Sequence, residues 1–209
     1  MPPCARLFPG TSHNPMRLDF ERIASFIPSG GTVLDLGCGG GDMLSELQKS
    51  HGVDGVGADI NTENLTRCLQ KGVQAVHCDI ARELNLFGDG AFDIVVLSDT
   101  LQSIQTPPQQ LLAEMLRIGK TAVVSFPNFG YWRLRSQILA GKMPVGRALP
   151  QEWHTTQNVR YCTIRDFELL CRKESLSVRE RVFLRGEEEV AFAPNLRAET
   201  AIYHLTRGN

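Results

Sequence analysis

Asp35-Leu36-Gly37-Cys38-Gly39-Gly40-Gly41-Asp42 gathers the residue types that let a chain hold a small ligand against bare backbone. Glycines permit a tight turn and leave room beside the main chain, and a helix beginning after them presents its positive end. A dinucleotide-binding loop reads G-x-G-x-x-G, but counted from Gly37 the third glycine position is Asp42. An acid at that helix mouth repels a pyrophosphate. A ligand with an ammonium and a sulfonium suits the turn better, because Asp35 can pair with positive charge.

Two more acids extend the pattern. Asp59 follows the glycine turn by about 20 residues, the position from which a carboxylate accepts both hydroxyls of a ribose. Asp79 comes after the next apolar run, where an acid can accept from an adenine amino group while Ile80 covers the ring. The candidate set is therefore Asp35, Gly37, Gly39, Gly41, Asp59, Ile60, Asp79, Ile80 and Ser98. Its expected occupant is S-adenosylmethionine or S-adenosylhomocysteine. Any one of these acids alone is more often a helix cap or a solvated turn; the constellation is what carries the expectation. The six cysteines include no C-x-x-C pair, so reduced thiols and no metal centre are expected.

Those side chains need a scaffold that brings several strand ends together. Residues 17–27 carry Phe20, Ile23 and Ile27 at helical spacing before Pro28 and a glycine pair. Residues 32–36 form a short apolar strand that leads into the glycine turn, and Asp42 opens a helix with Met43, Leu44 and Leu47 on one side. A second strand over 53–58 precedes a helix capped by Asn61 or Thr62 and bearing Leu65, Cys68 and Leu69; residues 73–77 form a third strand. Residues 92–98 are continuously apolar, as a strand covered on both faces should be. Pro107 sits in the first turn of a helix with Leu111, Leu112, Met115 and Leu116, and a fifth strand spans 122–126. Thr163 and Asp166 resemble a capping box for the last helix, and strands near 176–184 and 198–205 alternate as half-covered strands do.

Strand–helix alternation repeated five times predicts parallel strands with helices on both faces, and ligands bind such sheets at the strands' carboxyl ends. The expectation is an α/β, Rossmann-like sheet of seven mostly parallel strands with a closing antiparallel strand. At 209 residues, with 42% apolar and 22% charged residues, the chain suits one domain over 16–209. Residues 1–15, with three prolines among the first nine, are expected to be a disordered extension without a secretory leader. A net charge of −1 gives no global field for nucleic acid, and no apolar stretch is long enough for a membrane span. A cytoplasmic protein is expected.

Asp35-Leu36-Gly37-Cys38-Gly39 resembles the class I methyltransferase signature. The wider chain, over residues 16–184, is similar to the MetW family of methionine-biosynthesis proteins. That likeness rests on Leu97-Ser98-Asp99-Thr100-Leu101-Gln102, Ser125-Phe126-Pro127-Asn128-Phe129-Gly130-Tyr131-Trp132-Arg133 and Met143-Pro144. It continues in Ala148-Leu149-Pro150-Gln151-Glu152-Trp153 and Cys162-Thr163-Ile164-Arg165-Asp166-Phe167-Glu168. The resemblance implies the class I methyltransferase fold and a protein that works with a homoserine O-acyltransferase of the MetX type, supporting acyl transfer to homoserine.

Methyl transfer is a separate question. Many small-molecule methyltransferases carry a histidine shortly after the fourth strand; here that place holds Gln102, which cannot take a proton at neutral pH. No catalytic residue is nominated. Between the fifth strand and Thr163 lies a long segment with Tyr131, Trp132, Arg133, Arg135, Trp153, His154, Arg160 and Tyr161. Segments of that length are lids or docking surfaces, and Trp and Arg anchor interfaces. Two readings remain open: an accessory protein that docks on the acyltransferase, or an active methyltransferase whose small acceptor lies beneath residues 127–162.

Overall fold

Capping chemistry and period-two burial divide the chain much as expected. The computed structural model describes residues 18–146 and 160–208. The expected extension at 1–15 lies outside them, as do Trp153 and His154. The elements run α1 (Leu18–Ser25), β1 (Thr32–Leu36), α2 (Asp42–His51), β2 (Asp54–Asp59), α3 (Thr62–Gln70), β3 (Gln74–His77) and β4 (Phe92–Leu97). They continue with α4 (Pro108–Ile118), β5 (Gly119–Pro127), α5 (Trp132–Leu139), α6 (Ile164–Lys173), β6 (Leu176–Arg185), β7 (Glu188–Glu189), α7 (Pro194–Arg197) and β8 (Thr200–Arg207). The Asn61 side chain caps α3 by accepting from the Glu63 N–H, and the Thr163 hydroxyl caps α6 by accepting from the Asp166 N–H. Pro107 is the residue before α4, not part of its first turn, and Leu69 of α3 is exposed.

The strands make one sheet in the order β3-β2-β1-β4-β5-β8-β6-β7. Neighbours from β3 to β5 are parallel, whereas β8 runs antiparallel to both β5 and β6. The sheet thus has eight strands; the one beyond the expected seven is the two-residue β7, which pairs only with the end of β6. Alternate side chains feed two cores. Leu34, Leu36, Val95 and Leu97 pack with Leu112, Met115 and Phe167 on one face, while Val33, Ile94 and Val96 pack with Ile23, Leu44 and Leu47 on the other.

The alternation expected near the chain's last strand does not occur. Six consecutive residues of β8, Ala201–Thr206, are buried. The reason is its place between β5 and β6: Tyr203 lies against Phe126 and Phe167 on one face, and His204 stacks on Phe26 on the other. A strand with neighbours on both edges and helices on both faces has no solvent side.

Candidate functional site

Strand order reverses between β1 and β4, because chain connections leave β1 toward β2 on one side and later return to β4 on the other. Such a switch point opens a crevice at the strands' carboxyl ends. The glycine turn occupies it. Gly37, Gly39 and Gly41 have φ of 73°, 56° and 71°, in the left-handed region that side chains rarely adopt. A Cβ on Gly37 would stand 2.7 Å from Thr100 Cγ2, and one on Gly41 would stand 2.9 Å from Cys68 Sγ. Glycine is therefore required by conformation and by the close approach of β4's loop and of α3.

The turn is fastened from behind by β2 and α3. The Gly37 and Cys38 N–H groups both donate to the Ala58 carbonyl, at 2.7 and 3.2 Å. Asp59 is buried and accepts from Gly39 N through Oδ2 at 2.9 Å, from Asn61 N through Oδ1 at 2.8 Å and from Asn64 Nδ2 at 3.2 Å. Cys68 Sγ donates to the Gly39 carbonyl at 3.2 Å and lies 3.8 Å from Cys38 Sγ. Lys71 Nζ donates to the Gly40 carbonyl at 2.8 Å and pairs with Asp42 at 2.6 Å. The Cys38 thiol is pushed up by its hydrogen bond with Cys68, by burial and by the Asp35 carboxylate, so it stays protonated.

The other expected site residues fall along the same edge. Asp35 is buried within β1, directly before the turn. Ile60 follows Asp59 and is exposed. Asp79 is less buried, accepts from Ala81 N at 3.0 Å and lies 3.7 Å from the Arg82 guanidinium. Ile80 packs against the core from the side. Ser98, buried at the end of β4, has its Oγ 3.2 Å from that of Ser125 at the end of β5. Next to it Asp99 has φ 47°, an uncommon conformation for a residue with a side chain.

Several contributors are absent from the sequence-based set. Asn64, Cys68, Lys71 and Thr100 shape the turn through contacts 5 to 63 positions away in the chain, such as Asn64 to Asp59 and Thr100 to Gly37. The Asn61 cap, which implies a helix start pointing at Asp59, is the only sequence signal for them. Gln102 donates through Nε2 to the Asp99 carbonyl at 2.8 Å, and its Oε1 is a buried acceptor with no partner among the described residues. Arg160 ties the long segment back over β4's loop: its N–H donates to the Gln102 carbonyl at 2.9 Å, and its guanidinium donates to the Gln105 and Thr106 carbonyls. Thr106 in turn donates to the Ala81 carbonyl at 3.1 Å, which links the loops after β3 and β4. Within the aromatic segment α5 follows the buried Tyr131, and its Trp132, Ile138 and Leu139 are exposed.

Among solved structures, an S-adenosylmethionine-dependent methyltransferase from Mesorhizobium loti superposes with a TM-score of 0.67 at 15% identity, covering 92% of this chain and 99% of that one. Magnesium protoporphyrin IX methyltransferase from Synechocystis, solved with bound SAH, gives 0.62 at 15% identity, covering 91% of this chain and 82% of that one. The fold is the class I methyltransferase fold. In sequence, the chain is 35% identical to the bifunctional methionine biosynthesis protein MetXA/MetW of Rhodopirellula baltica over 93% of its own length. It spans 33% of that longer protein. Ubiquinone biosynthesis O-methyltransferase of Burkholderia thailandensis is 31% identical over 73% of this chain and 67% of its own. The family model described as methionine biosynthesis protein MetW matches residues 17–205. With the fold, the glycine turn and this match in agreement, the chain belongs to the MetW family.

Proposed function

We propose that this chain binds S-adenosylmethionine or S-adenosylhomocysteine at the glycine turn and serves as an accessory protein of a homoserine O-acyltransferase in the cytoplasm. The observation that carries the ligand reading is the turn itself. Three left-handed glycines at the switch point stand between buried Asp35 and Asp59, with Asp79 one strand further on. Asp35 supplies the charge for an ammonium or sulfonium. Asp59 accepts twice through Oδ2 and once through Oδ1, so one lone pair remains on Oδ1, enough for one ribose hydroxyl. Asp79 and Ile80 offer an acceptor and an apolar cover to an adenine. The whole of residues 16–209 acts as one domain in this reading.

Two facts favour the accessory role. A relative carries MetXA and MetW in one bifunctional chain, and proteins joined in one polypeptide work at high effective concentration of each other. The described residues around Gln102 offer an amide where a base would serve methyl transfer. The fold alone does not decide, since the [4+2]-cyclase SpnF shares it with a TM-score of 0.64. The second reading, methyl transfer to a small acceptor, is favoured by the likeness to the ubiquinone biosynthesis O-methyltransferase.

Calorimetric titration with each adenosyl ligand tests the first half; absence of heat and of any thermal shift at millimolar ligand would end it. Co-purification with the acyltransferase, and its acyl-transfer rate with and without this chain, tests the second. Trp132→Ala on the exposed side of α5 should weaken that complex by about 2–4 kcal/mol if the indole anchors the interface. No complex and no change in rate would favour the methyltransferase reading.

A further inference from the structure

A second cavity, of about 540 Å³, lies on the same edge of the sheet where β5, β6 and β8 meet, and is lined by Tyr131, Trp132, Arg133, Gln137, Arg185 and Glu199 among others. The β8 strand is three positions from β1 in the sheet, about 14 Å at the usual strand spacing. An occupant there is a ligand separate from one on the glycine turn.

The cavity floor is held firmly. Glu199 donates its N–H to the Leu184 carbonyl at 2.7 Å, and its carbonyl accepts from Asn128 N at 2.7 Å, so its backbone bridges β5 and β6. Its carboxylate accepts from Gly186 N at 3.3 Å and neighbours Tyr131, whose hydroxyl is pushed above its ordinary titration range by burial and by this acid. Asn128, fully buried, donates to the Ala198 carbonyl at 2.8 Å and accepts from Gly130 N at 2.9 Å. The Gly130 turn is packed so closely that a Cβ there would stand 2.6 Å from the Asn195 carbonyl oxygen. Above this floor stand two cations. Arg133 lies over the Trp132 ring at 5.5 Å, and Arg185 pairs with Glu188 at 2.6 Å on its outer side.

We propose that this cavity binds the zwitterionic head of a free α-amino acid. The guanidinium groups of Arg133 and Arg185 take the carboxylate, the Glu199 carboxylate takes the ammonium, and the side chain lies along Trp132, Leu134 and Val145. One fixed acid beside two guanidinium groups matches a zwitterion better than a phosphate, which the Glu199 carboxylate would repel, and better than a simple amine, which the two cations would repel. The reading does not depend on what the glycine turn binds.

The test uses the full chain without any adenosyl ligand. Proteinogenic L-α-amino acids and L-homoserine are titrated by calorimetry and by saturation-transfer NMR at millimolar concentration. At least one should bind. Its decarboxylated amine and its deaminated acid should each bind at least about tenfold more weakly, the factor expected for a lost charge-assisted contact. Arg133→Met, Arg185→Met and Glu199→Gln should each weaken the amino acid to a similar degree. Arg133 is exposed, so its variant should keep the wild-type melting temperature and remain informative if a variant at Glu199 fails to fold. Binding by no amino acid overturns the proposal. So does equal binding of the deaminated acid, which would make this a plain anion site, and so does unchanged affinity in folded Arg133→Met and Arg185→Met proteins.

Discussion

Replacing Asp59 by alanine should damage the protein before any ligand is added. Its carboxylate is buried and accepts three hydrogen bonds, two of them from backbone N–H groups of Gly39 and Asn61 and one from the Asn64 amide. Alanine leaves both backbone donors without an acceptor, and each such buried group costs about 1–3 kcal/mol. Partial relaxation and entry of water into the vacated space reduce the sum, so the expected loss is about 2–4 kcal/mol. For a chain of this size each kcal/mol moves the melting temperature by about 2–4 °C, which gives a fall of roughly 5–15 °C. The assay is thermal unfolding of the unliganded protein followed by circular dichroism. Asp79→Ala is the control: that carboxylate is more exposed and, among the described residues, accepts from one backbone donor, Ala81 N, so its loss should stay within about 1 kcal/mol. An Asp59→Ala protein that melts within about 2 °C of wild type would refute the argument that this acid holds the turn. Where the variant still folds at lower temperature, its affinity for the adenosyl ligand should fall by a further 1.5–3 kcal/mol, about the worth of a hydrogen bond to a charged group. Unchanged affinity would mean that the ribose lies elsewhere.

Two predictions concern pH. The Asp93 carboxyl is held down to about 2, from an ordinary 3.8, chiefly by Lys120 and also by the N–H and hydroxyl of Thr32. Its contribution to stability is therefore present above about pH 4 and lost as the pH falls toward about 2; the melting-temperature deficit of Asp93→Asn should shrink through that window, and a constant deficit would contradict the assignment. His204 has the opposite character: burial holds its ring below the ordinary 6.5, and neither ring nitrogen has a hydrogen-bond partner among the described residues. The folded state resists protonation, so wild-type stability falls as the pH drops below about 6.5, whereas His204→Phe, which can keep the stack on Phe26, should melt higher than wild type at pH near 5. A wild type that stays the more stable of the two under acid conditions would exclude this account.

The glycine turn, the succession of strands and helices along the chain and the caps at Asn61 and Thr163 were legible because each is a local matter of backbone conformation or period. The aromatic segment was harder. Helix α5 begins after Tyr131 without a side-chain cap, and its run of Trp132, Arg133 and Arg135 reads equally well as an irregular surface. The two-sided burial of β8 depends on its insertion between β5 and β6, which no pattern within 200–207 announces. At the site, sequence spacing brought Asp59 forward as an acceptor for a ligand; the donors it already serves, Gly39 and Asn64 among them, come from tertiary contact. Lys71 and Cys68 were missed for the same reason, since a lysine and a cysteine on α3 reveal nothing until the helix is laid beside Gly39 and Gly40.

The position of β8 also governs the order in which the sheet can be completed. During synthesis β5 emerges long before β8, and β6 appears between them with no partner but the two residues of β7. Until residues 200–207 arrive, both β5 and β6 carry an open edge, and β6 cannot join the parallel strands at all. The nascent chain therefore waits with an incomplete sheet whose free edges invite pairing with other chains. Closure then requires contacts spanning most of the distance from Ala122 to Leu205, a slow kind of step for a folding chain. A pause in translation before β8 should lengthen that vulnerable interval.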